Sequence, residues 1–291
     1  MSVSSAHPAS ERIRVSERIR VAGSTLTPAD RKVAHVVGTD PQLVAFGTVA
    51  DVAARAGASG AAVVRLATRL GYDGFADLQT SVQTELADRL RPAASRIREL
   101  SGDDVVAATW RASQVALDHT FERLDRSTFS RAVTMLSDLD HTVWAVAGDA
   151  GDGILRHATD ELSMLRSDVH HVSGNAVAVA RRLAAVERGD VLVALDLRRY
   201  DRWLLDSVEL TASKGAQIIA LSDSPASPVA ALSDVSLVID ADGNGPFDNY
   251  VGAMGLLTAL VIGVAGHLQR RATAALDQIE RAWRDTGALS D

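Results

Sequence analysis

Residues 48–70 read TVADVAARAGASGAAVVRLATRL and contain two short helical patterns on either side of a glycine. Apolar residues recur at spacings of three and four in both halves, as they do in an amphipathic helix. Thr48 and Ser59 are placed to cap the two helices, and Gly57 stands where glycine commonly follows a helix end. The stretch therefore predicts a helix-turn-helix.

The second of these helices has a distinct outer face. At about 100° per residue, Ala61, Arg65 and Thr68 point away from its apolar stripe, and Ala62 and Arg69 flank them. Small residues and arginines suit a helix that approaches base edges and phosphates in a DNA groove. An ordinary helical hairpin with a solvated outer face fits the same spacing. On the DNA-binding interpretation, the contacts come from Ser59, Ala61, Ala62, Arg65, Thr68 and Arg69.

The residues on both sides of this stretch favour the DNA-binding interpretation. Upstream, Thr27 and Asp30 have the spacing of a capping box, with Pro28 at the first helical position. Downstream, residues 71–75 read GYDGF and lead into a further helix that starts near Ala76. A compact helical domain therefore surrounds the helix-turn-helix.

Residues 23–92 resemble the amino-terminal domain of the RpiR/MurR family of bacterial transcriptional regulators. The resemblance rests on a Leu-Thr start at residues 26–27, a Ser-x-x-x-Val-Val-Arg segment at 59–65 and a Gly-to-Phe close at 71–75. It implies that this domain binds a double-stranded DNA operator. Residues 60–62 are glycine and alanine where family members often carry larger polar residues. We therefore expect fewer direct contacts with base edges here.

Composition limits the classes of protein to which the chain can belong. Its 291 residues, 47% of them apolar, suffice for two domains with buried cores. The absence of cysteine excludes disulfide frameworks, zinc fingers with cysteine ligands and a cysteine nucleophile. No run of about 18 apolar residues occurs, and the polar residues 1–10 do not form a signal peptide. We therefore expect a cytoplasmic, soluble protein with no membrane partner.

Charge is distributed unevenly along the chain. Residues 1–92 carry 11 basic and 9 acidic side chains, whereas the remainder carries 19 basic and 28 acidic ones. The first part is therefore the better candidate for DNA binding. Its small positive excess is weak for a DNA-binding monomer, and a dimer would compensate because it doubles the phosphate contacts.

Residues 1–22 contain a tandem copy of SERIRV, at residues 10–15 and again at 16–21. A period of six residues fits neither a helix nor a solenoid unit, so we interpret it as a local duplication in a tail. The functional alternative is a basic arm that reaches toward DNA phosphates. The arginines of this arm are Arg12, Arg14, Arg18 and Arg20.

From residue 141 onward the pattern changes to short β-branched and aliphatic runs, separated by segments long enough for helices. This alternation predicts a doubly wound α/β domain with a five-stranded parallel sheet. We place this domain at residues 126–268, after a helical linker at 93–125 and before a C-terminal helix at 269–291. The predicted strands are residues 142–147, 169–172, 191–195, 217–221 and 235–239.

The second domain resembles the SIS domain, a sugar-phosphate isomerase and sugar-phosphate-binding fold that usually accompanies the RpiR-type DNA-binding domain. The resemblance covers residues 126–266 and is strongest at 214–221, 222–228 and 231–234. It implies a small-molecule effector, either a sugar phosphate or a related acidic metabolite. It also implies assembly into a homodimer or homotetramer.

Ligands of such sheets bind beyond the carboxyl ends of the strands, which directs attention to three loops. Residues 148–153 read GDAGDG. These glycines allow an anion to approach a helix start, but the spacing is not that of a dinucleotide site and the aspartates repel a pyrophosphate. Residues 196–200 read DLRRY where SIS domains commonly present Ser-x-Ser-Gly to a phosphate. The predicted effector-binding residues are Gly148, Asp149, Gly151, Asp196, Arg198, Arg199, Ser222, Ser224 and Ser227.

The sequence alone does not decide whether the charges at this site favour or disfavour a phosphate. The Asp196 carboxylate disfavours a phosphate, whereas Arg198 and Arg199 favour one through charge-assisted hydrogen bonds. The alternative is that the arginine pair belongs to the surface or to a subunit contact.

Two functions are compatible with these features. The first is a transcriptional regulator in which the effector shifts DNA affinity through its different affinities for two arrangements of the chain. The second is a sugar-phosphate isomerase with an accessory helical domain, which needs a base near a substrate carbon. The candidate bases are His157, His170 and His171, and none of them has a carboxylate at a spacing that indicates a catalytic pair. We favour the regulator and expect no catalytic residue, no cofactor and no metal.

Overall fold

The chain divides into two compact units, Met1–Arg91 and Pro92–Asp291. Each unit has hydrophobic core clusters of its own. The computed structural model describes residues 15–89, 93–97, 104–225 and 227–288.

The first unit is helical throughout its described residues. It contains α1 (Val15–Ala22), α2 (Pro28–Thr39), α3 (Pro41–Phe46), α4 (Val49–Ala56), α5 (Gly60–Arg69) and α6 (Phe75–Arg89).

Local signals set the ends of the helices in the first unit. Thr27 caps α2 through the predicted capping box with Asp30, and Thr48 begins α4 in the same way. Gly57 ends α4 with a φ of 56°, a left-handed conformation that glycine adopts at little cost. Ser59 then caps α5. The predicted helix-turn-helix is therefore α4, the turn at Gly57 and α5.

The predicted N-terminal tail is wrong for residues 15–22, which form α1 and pack on the rest of the first unit. Val15 is buried in the core of this unit, which anchors the helix. Arg18 lies over the ring of Tyr72 at 4.5 Å and donates a hydrogen bond to the Leu70 carbonyl at 2.9 Å, so it is engaged within the domain. The other arm residues, Arg12 and Arg14, lie outside the described residues, as does the side chain of Arg20.

The second unit is built around a five-stranded, all-parallel sheet with the strand order β2-β1-β3-β4-β5. This order and the intervening helices confirm the predicted doubly wound α/β class. The strands are β1 (Val143–Ala147), β2 (Val169–His171), β3 (Val191–Asp196), β4 (Gln217–Ser222) and β5 (Val235–Val238). The helices are α7 (Ala93–Ile97), α8 (Val105–Glu122), α9 (Arg126–Ser137), α10 (Asp152–Leu165), α11 (Ala176–Leu183), α12 (Arg202–Ser213), α13 (Pro228–Ala231), α14 (Val251–His267) and α15 (Gln269–Thr286).

Helices cover both faces of this sheet, and the alternation along β3 shows why. Val191, Val193 and Leu195 pack with α9, α10 and α14, whereas Leu192 and Ala194 pack with α11, α12 and α13. Successive side chains of a strand point to opposite faces, so a strand covered on both sides is apolar at every position. The carboxyl ends of the strands remain as the edge at which loops meet.

Within the predicted helical linker at residues 93–125, α8 packs along α14 of the second unit. The close approach of the two helices depends on Gly252, because a Cβ at this position would clash with Thr120 Oγ1. Thr120 accepts a hydrogen bond from the Asp240 N–H at 3.0 Å and donates one to the Ala116 carbonyl at 2.7 Å. The bond from Asp240 joins α8 to the segment that follows β5.

The apolar helix α14 is packed against α8, α9 and α10. Among the described helices, none alone is both long and apolar enough to cross a membrane. The helices α14 and α15 satisfy those criteria only when taken together, and they bend by 104° at the break between them.

Candidate functional site

The outer face of α5 carries Ala61, Arg65 and Thr68, all three exposed as predicted. The guanidinium of Arg65 makes no hydrogen bond or ion pair with another described residue. The Thr68 hydroxyl donates to the Val64 carbonyl at 3.2 Å, which leaves its methyl group and the lone pairs of its oxygen available to a partner. The face therefore offers one cationic side chain among small ones.

The first turn of α5 differs from the prediction at one residue. Ser59 Oγ accepts a hydrogen bond from the Ala62 N–H at 3.3 Å, as expected of an N-cap. The prediction that Ala62 contacts DNA is wrong for its side chain, which is 1% exposed and packs in the core beside Val63. Val64, which was not predicted to contact DNA, is instead 42% exposed next to Arg65. The prediction relied on small and charged residue types and therefore omitted this apolar side chain.

Arg69, the second predicted DNA-contacting arginine, is bound within the domain. Its Nη1 donates to Asp30 Oδ2 in an ion pair. Asp30 is 1% exposed and also accepts hydrogen bonds from the Thr27 N–H and hydroxyl. Burial alone would raise the pKa of Asp30, but the bonds from Thr27 and the charges of Arg69 and Arg65 outweigh it and hold the pKa below its ordinary value. Arg69 therefore fastens α5 to the start of α2.

A cavity of about 340 Å³ opens at the carboxyl ends of β1 and β3 in the second unit. This is the edge at which parallel sheets bind ligands. The lining comes from α7, the β1–α10 loop, the β3–α12 loop and the segment before α14. Its charged members are Asp149, Asp196, Asp201, Asp248, Arg96, Arg198 and Arg199.

The β1–α10 loop brings Gly148, Asp149 and Gly151 to this cavity, as predicted. A Cβ on Gly148 would lie 2.9 Å from both Asp196 Oδ1 and Asp201 Oδ2, so no larger residue fits without moving a carboxylate. The Asp149 N–H donates to Asp201 Oδ2 at 3.0 Å. The amide at Asp149 that was expected to face an anion therefore already binds a carboxylate of the chain itself.

Asp196 ends β3 at the floor of the cavity and is 4% exposed. Its Oδ2 accepts a hydrogen bond from the Asp201 N–H at 3.1 Å. Burial raises the pKa of Asp196 to about 7, and the carboxylates of Asp201 and Asp223 add to the rise, while the bond from the Asp201 N–H opposes it. The carboxyl group therefore changes protonation near neutral pH.

The two predicted arginines of the β3–α12 loop lie at the cavity, but Arg198 is neutralised by the chain. Its Nε donates to Asp248 Oδ1 at 2.7 Å, and its Nη1 pairs with Asp242 Oδ1 at 2.9 Å. Burial would lower the pKa of Arg198, but Asp242 and Asp248 raise it above its ordinary value. Arg199 is exposed and adopts a φ of 66°, a left-handed conformation that is uncommon for a residue with a side chain.

The three serines predicted to bind the effector are not among the residues that line the cavity. Ser222 is fully buried at the end of β4, and its Oγ has no hydrogen-bond partner among the described residues. Ser224 is also buried. Ser227 caps α13 by accepting from the Ala230 N–H at 3.2 Å. The loop after β4 therefore serves packing and helix capping, and its effector role is not supported by this geometry.

Other lining residues were not predicted, although their sequence context offered a signal. Asp201 precedes α12, and Asp248 and Tyr250 precede α14, so all three sit at helix starts beside the sheet edge. Burial and the Asp248 charge raise the pKa of Tyr250 to about 12. No histidine is among the cavity-lining residues. Over the described residues, no group of three or more His, Asp or Glu is placed to hold a metal ion.

Family models match both units of the chain. The helix-turn-helix domain of the rpiR family matches residues 13–89, which include the described helices α1 to α6. The SIS domain matches residues 162–263, which include β2 to β5 and most of α14.

Proteins similar to the chain over most of its length include bacterial regulators. The HTH-type transcriptional regulator HexR of Escherichia coli (strain K12) is 23% identical over 271 residues, which cover 91% of each chain. The uncharacterized HTH-type transcriptional regulator YbbH of Bacillus subtilis (strain 168) is 26% identical over 216 residues, or 73% of this chain and 75% of that one.

A solved structure extends the likeness across both units. The Vibrio vulnificus NanR protein complexed with ManNAc-6P covers 96% of this chain and 100% of its own, with a TM-score of 0.57 and 18% identity. At this level of identity the likeness establishes the shared fold. With both domain models matched in order, the chain carries an RpiR-type helix-turn-helix domain followed by a SIS domain.

Proposed function

We propose that this regulator binds a double-stranded DNA operator through the outer face of α5, and that a small metabolite in the cavity of the second unit changes this binding. The observation that carries the proposal is the open face of α5, where Ala61, Arg65 and Thr68 are exposed and the Arg65 guanidinium makes no hydrogen bond or ion pair with another described residue. An exposed arginine beside small side chains suits contact with base edges and phosphates. The metabolite acts by linkage, through its different affinities for the DNA-bound and free arrangements.

Carbohydrate metabolites are the effector class that the relatives support. NanR was solved in complex with ManNAc-6P, and the SIS resemblance implies sugar phosphates or related acidic metabolites. The cavity of about 340 Å³ is of a size that accommodates a monosaccharide. Its position at the carboxyl ends of β1 and β3 is the usual place for such a ligand.

We also propose that the regulator acts as a homodimer or homotetramer. Residues 1–92 carry only a small excess of basic over acidic side chains, and a second copy doubles the number of phosphate contacts. Sedimentation of the full chain, alone and with bound DNA, measures this directly. A monomer on DNA at saturation would contradict the proposed assembly.

Selection from a pool of random duplexes by the full chain tests DNA recognition and identifies the operator sequence in the same experiment. We expect an enriched sequence that binds with nanomolar affinity and with a steep decrease as salt rises, because phosphate contacts release counterions. A matched duplex with a scrambled sequence serves as the control. Failure to enrich any sequence would contradict the proposed function.

A sugar-phosphate isomerase is the second candidate, and one observation favours it. Asp196 lies at the cavity floor with a pKa of about 7, which is the range of an effective general base. Incubation of the purified chain with aldose and ketose phosphates, followed by chromatography, would reveal turnover. Turnover by the wild type that is lost in Asp196→Asn would support the enzyme. If the wild type shows no turnover, the regulator is the only remaining candidate of the two.

A further inference from the structure

The proposed DNA interface on α5 is short of positive charge. Arg65 is the arginine of its outer face that forms no ion pair among the described residues, since Arg69 binds Asp30. A DNA-binding protein gains affinity by neutralising phosphates with lysine and arginine, and a steep salt dependence requires several such contacts. The first unit must therefore supply further cations beside α5 if this helix enters a groove.

Two neighbouring cations on α2, Arg31 and Lys32, meet this need. Both side chains are exposed, and neither makes a hydrogen bond or ion pair with another described residue. Other arginines of the first unit are used within it, because Arg18 donates to a backbone carbonyl at 2.9 Å and Arg55 lies 3.8 Å from an aspartate. The charge of the first unit that is open to an external anion is therefore concentrated on α2 and α5.

The stability of α2 does not account for these two side chains. Arg31 stands at the end of the first turn of the helix, where the positive end of the macrodipole disfavours a cation. No acidic residue lies three or four positions from Arg31 or Lys32, so neither takes part in an ion pair along the helix. A partner outside the unit gives both charges a role.

The start of α2 adjoins the outer face of α5. The two helices pack on each other, and Asp30 in the first turn of α2 forms the ion pair with Arg69 near the end of α5. The Arg65 charge also helps to lower the pKa of Asp30, so the exposed guanidinium of α5 lies near the same carboxylate. Arg31 and Lys32 follow Asp30 directly in the chain and therefore lie beside the edge of that face.

The dimensions of DNA make this edge a place for phosphates. The major groove is about 12 Å wide, which is about the diameter of one helix with its side chains. A second helix packed on the groove helix lies about 8–10 Å from its axis. It therefore comes over the sugar-phosphate backbone that borders the groove, where lysine and arginine contact phosphates and not base edges.

We infer that Arg31 and Lys32 of α2 bind phosphates at the edge of the groove that α5 enters, which extends the DNA interface onto a second helix. The inference rests on the DNA-binding function proposed above. Phosphate contacts position a protein on the duplex but carry no sequence information. The two residues therefore contribute affinity and salt dependence, whereas recognition of bases stays with α5.

Acetylation of lysine side chains in the full chain tests the contact at Lys32. The sequence contains only two lysines, Lys32 and Lys214. Lys214 of the second unit donates to the Val186 carbonyl at 3.0 Å and serves as the internal reference. We expect a saturating amount of the selected duplex to slow acetylation of Lys32 several-fold, as measured by mass spectrometry, and to leave Lys214 unchanged. An unchanged rate at Lys32, or equal slowing of both lysines, would overturn this contact.

The salt dependence of DNA affinity tests the charge of both residues. When Arg31→Ala is combined with Lys32→Ala, the slope of log affinity against log salt should become shallower by about 2 for each bound protomer, which is about 1 for each lost phosphate contact. Affinity for the selected and the scrambled duplex should fall by the same factor. A wild-type slope, or a loss of affinity confined to the selected duplex, would overturn the inference.

Two further double variants serve as controls. Arg31→Lys combined with Lys32→Arg keeps both charges and should keep the wild-type slope. Arg270→Ala combined with Arg284→Ala removes the same charge from exposed positions of α15 and should also leave the slope unchanged. An equally shallow slope in the α15 variant would overturn the inference, because it would trace the effect to net charge alone.

The same measurements separate this inference from the proposed function. If the full chain selects no duplex, the DNA-binding proposal itself fails. If the chain binds its selected duplex while Lys32 stays unprotected and the slope of the alanine variant stays that of the wild type, the inference about α2 fails and the DNA-binding proposal stands.

Discussion

Two arginine-bearing regions of this molecule use positive charge in opposite ways. On the outer face of α5, Arg65 is exposed and unpaired among the described residues, whereas Arg198 in the cavity of the second unit is held between Asp242 and Asp248. The first arrangement leaves a cation available to an external anion. In the second, carboxylates of the chain itself neutralise the cation. The difference teaches that an arginine in a binding loop indicates an anionic ligand only when no carboxylate of the protein has already paired with it.

The largest effect expected from this comparison concerns Asp196, the carboxyl group with no cation against it. Its pKa of about 7 exceeds the ordinary 3.8, so the native state keeps a proton that the unfolded chain loses between these values. The Asp196 contribution to stability is therefore greatest at low pH and falls as pH rises toward 7. The free energy of unfolding of Asp196→Asn, taken relative to that of the wild type, should therefore rise by about 3 kcal/mol between pH 4 and pH 8.

Urea unfolding of the second unit as a function of pH measures this gain. The exposed pair of Arg156 and Asp160 on α10 offers a control, because Asp160→Asn should leave the pH dependence unchanged. Equal stability changes in the two variants at every pH would contradict the burial of an ionisable group at Asp196.

The second prediction compares Arg69 of α5, which pairs with a buried carboxylate, with Arg55 of α4, which pairs with an exposed one. Arg69→Ala leaves the buried Asp30 carboxylate without its ion-pair partner, so the free energy of unfolding of the first unit should fall by about 2 kcal/mol. Arg55→Ala removes only an exposed partner 3.8 Å from Asp40 and should change stability by less than about 0.5 kcal/mol. Thermal unfolding of both variants provides the comparison, and equal losses would show that Arg69 has no structural role.

The third prediction concerns the proposed contribution of Arg65 to DNA affinity. Arg65→Ala should weaken binding to the selected duplex about tenfold or more and lower the melting temperature less than Arg69→Ala does, because the side chain is exposed and acts on Asp30 only through its charge. Fluorescence anisotropy measures the affinity. A loss of binding that is matched by a loss of stability would place Arg65 with Arg69 as a structural residue.

The smallest effect is expected at Val64, which is 42% exposed beside Arg65. An apolar side chain on a groove-facing helix can contact thymine methyl groups. Val64→Ser should therefore weaken binding by about twofold to fourfold, which is less than the loss of a bidentate base contact. Replacing thymine by uracil in the selected duplex should weaken the wild type similarly but leave Val64→Ser unchanged. An equal uracil effect on both proteins would rule out this contact.

Features set by neighbouring residues could be predicted from sequence. The capping boxes at Thr27 and Thr48 and the left-handed Gly57 depend on groups within four residues of one another. The five strands were also predictable, because β-branched runs between helical segments mark a parallel sheet covered on both faces.

Features that depend on residues far apart in the sequence could not be predicted in this way. Arg69 and Asp30 are 39 residues apart, and Arg198 is 50 residues from Asp248, so no spacing rule reveals either pair. The error at Ala62 has a different cause, because the first turn of α5 packs on the core and its buried side is wider than the stripe of three- and four-residue spacings. Long-range charge pairing therefore limits how far a binding residue can be inferred from its type.

The most direct test of the central claim is the effect of the cavity on DNA affinity. The selected duplex is titrated with the full chain while a small-molecule extract of the native cells is added, using wild type, Gly148→Ala and Gly153→Ala. Gly148→Ala would displace the Asp196 and Asp201 carboxylates, whereas a Cβ at Gly153 meets nothing within 4 Å. We predict that the extract changes DNA affinity of wild type and Gly153→Ala but not of Gly148→Ala. An equal change in all three proteins, or none in the wild type, would contradict control of DNA binding from this cavity.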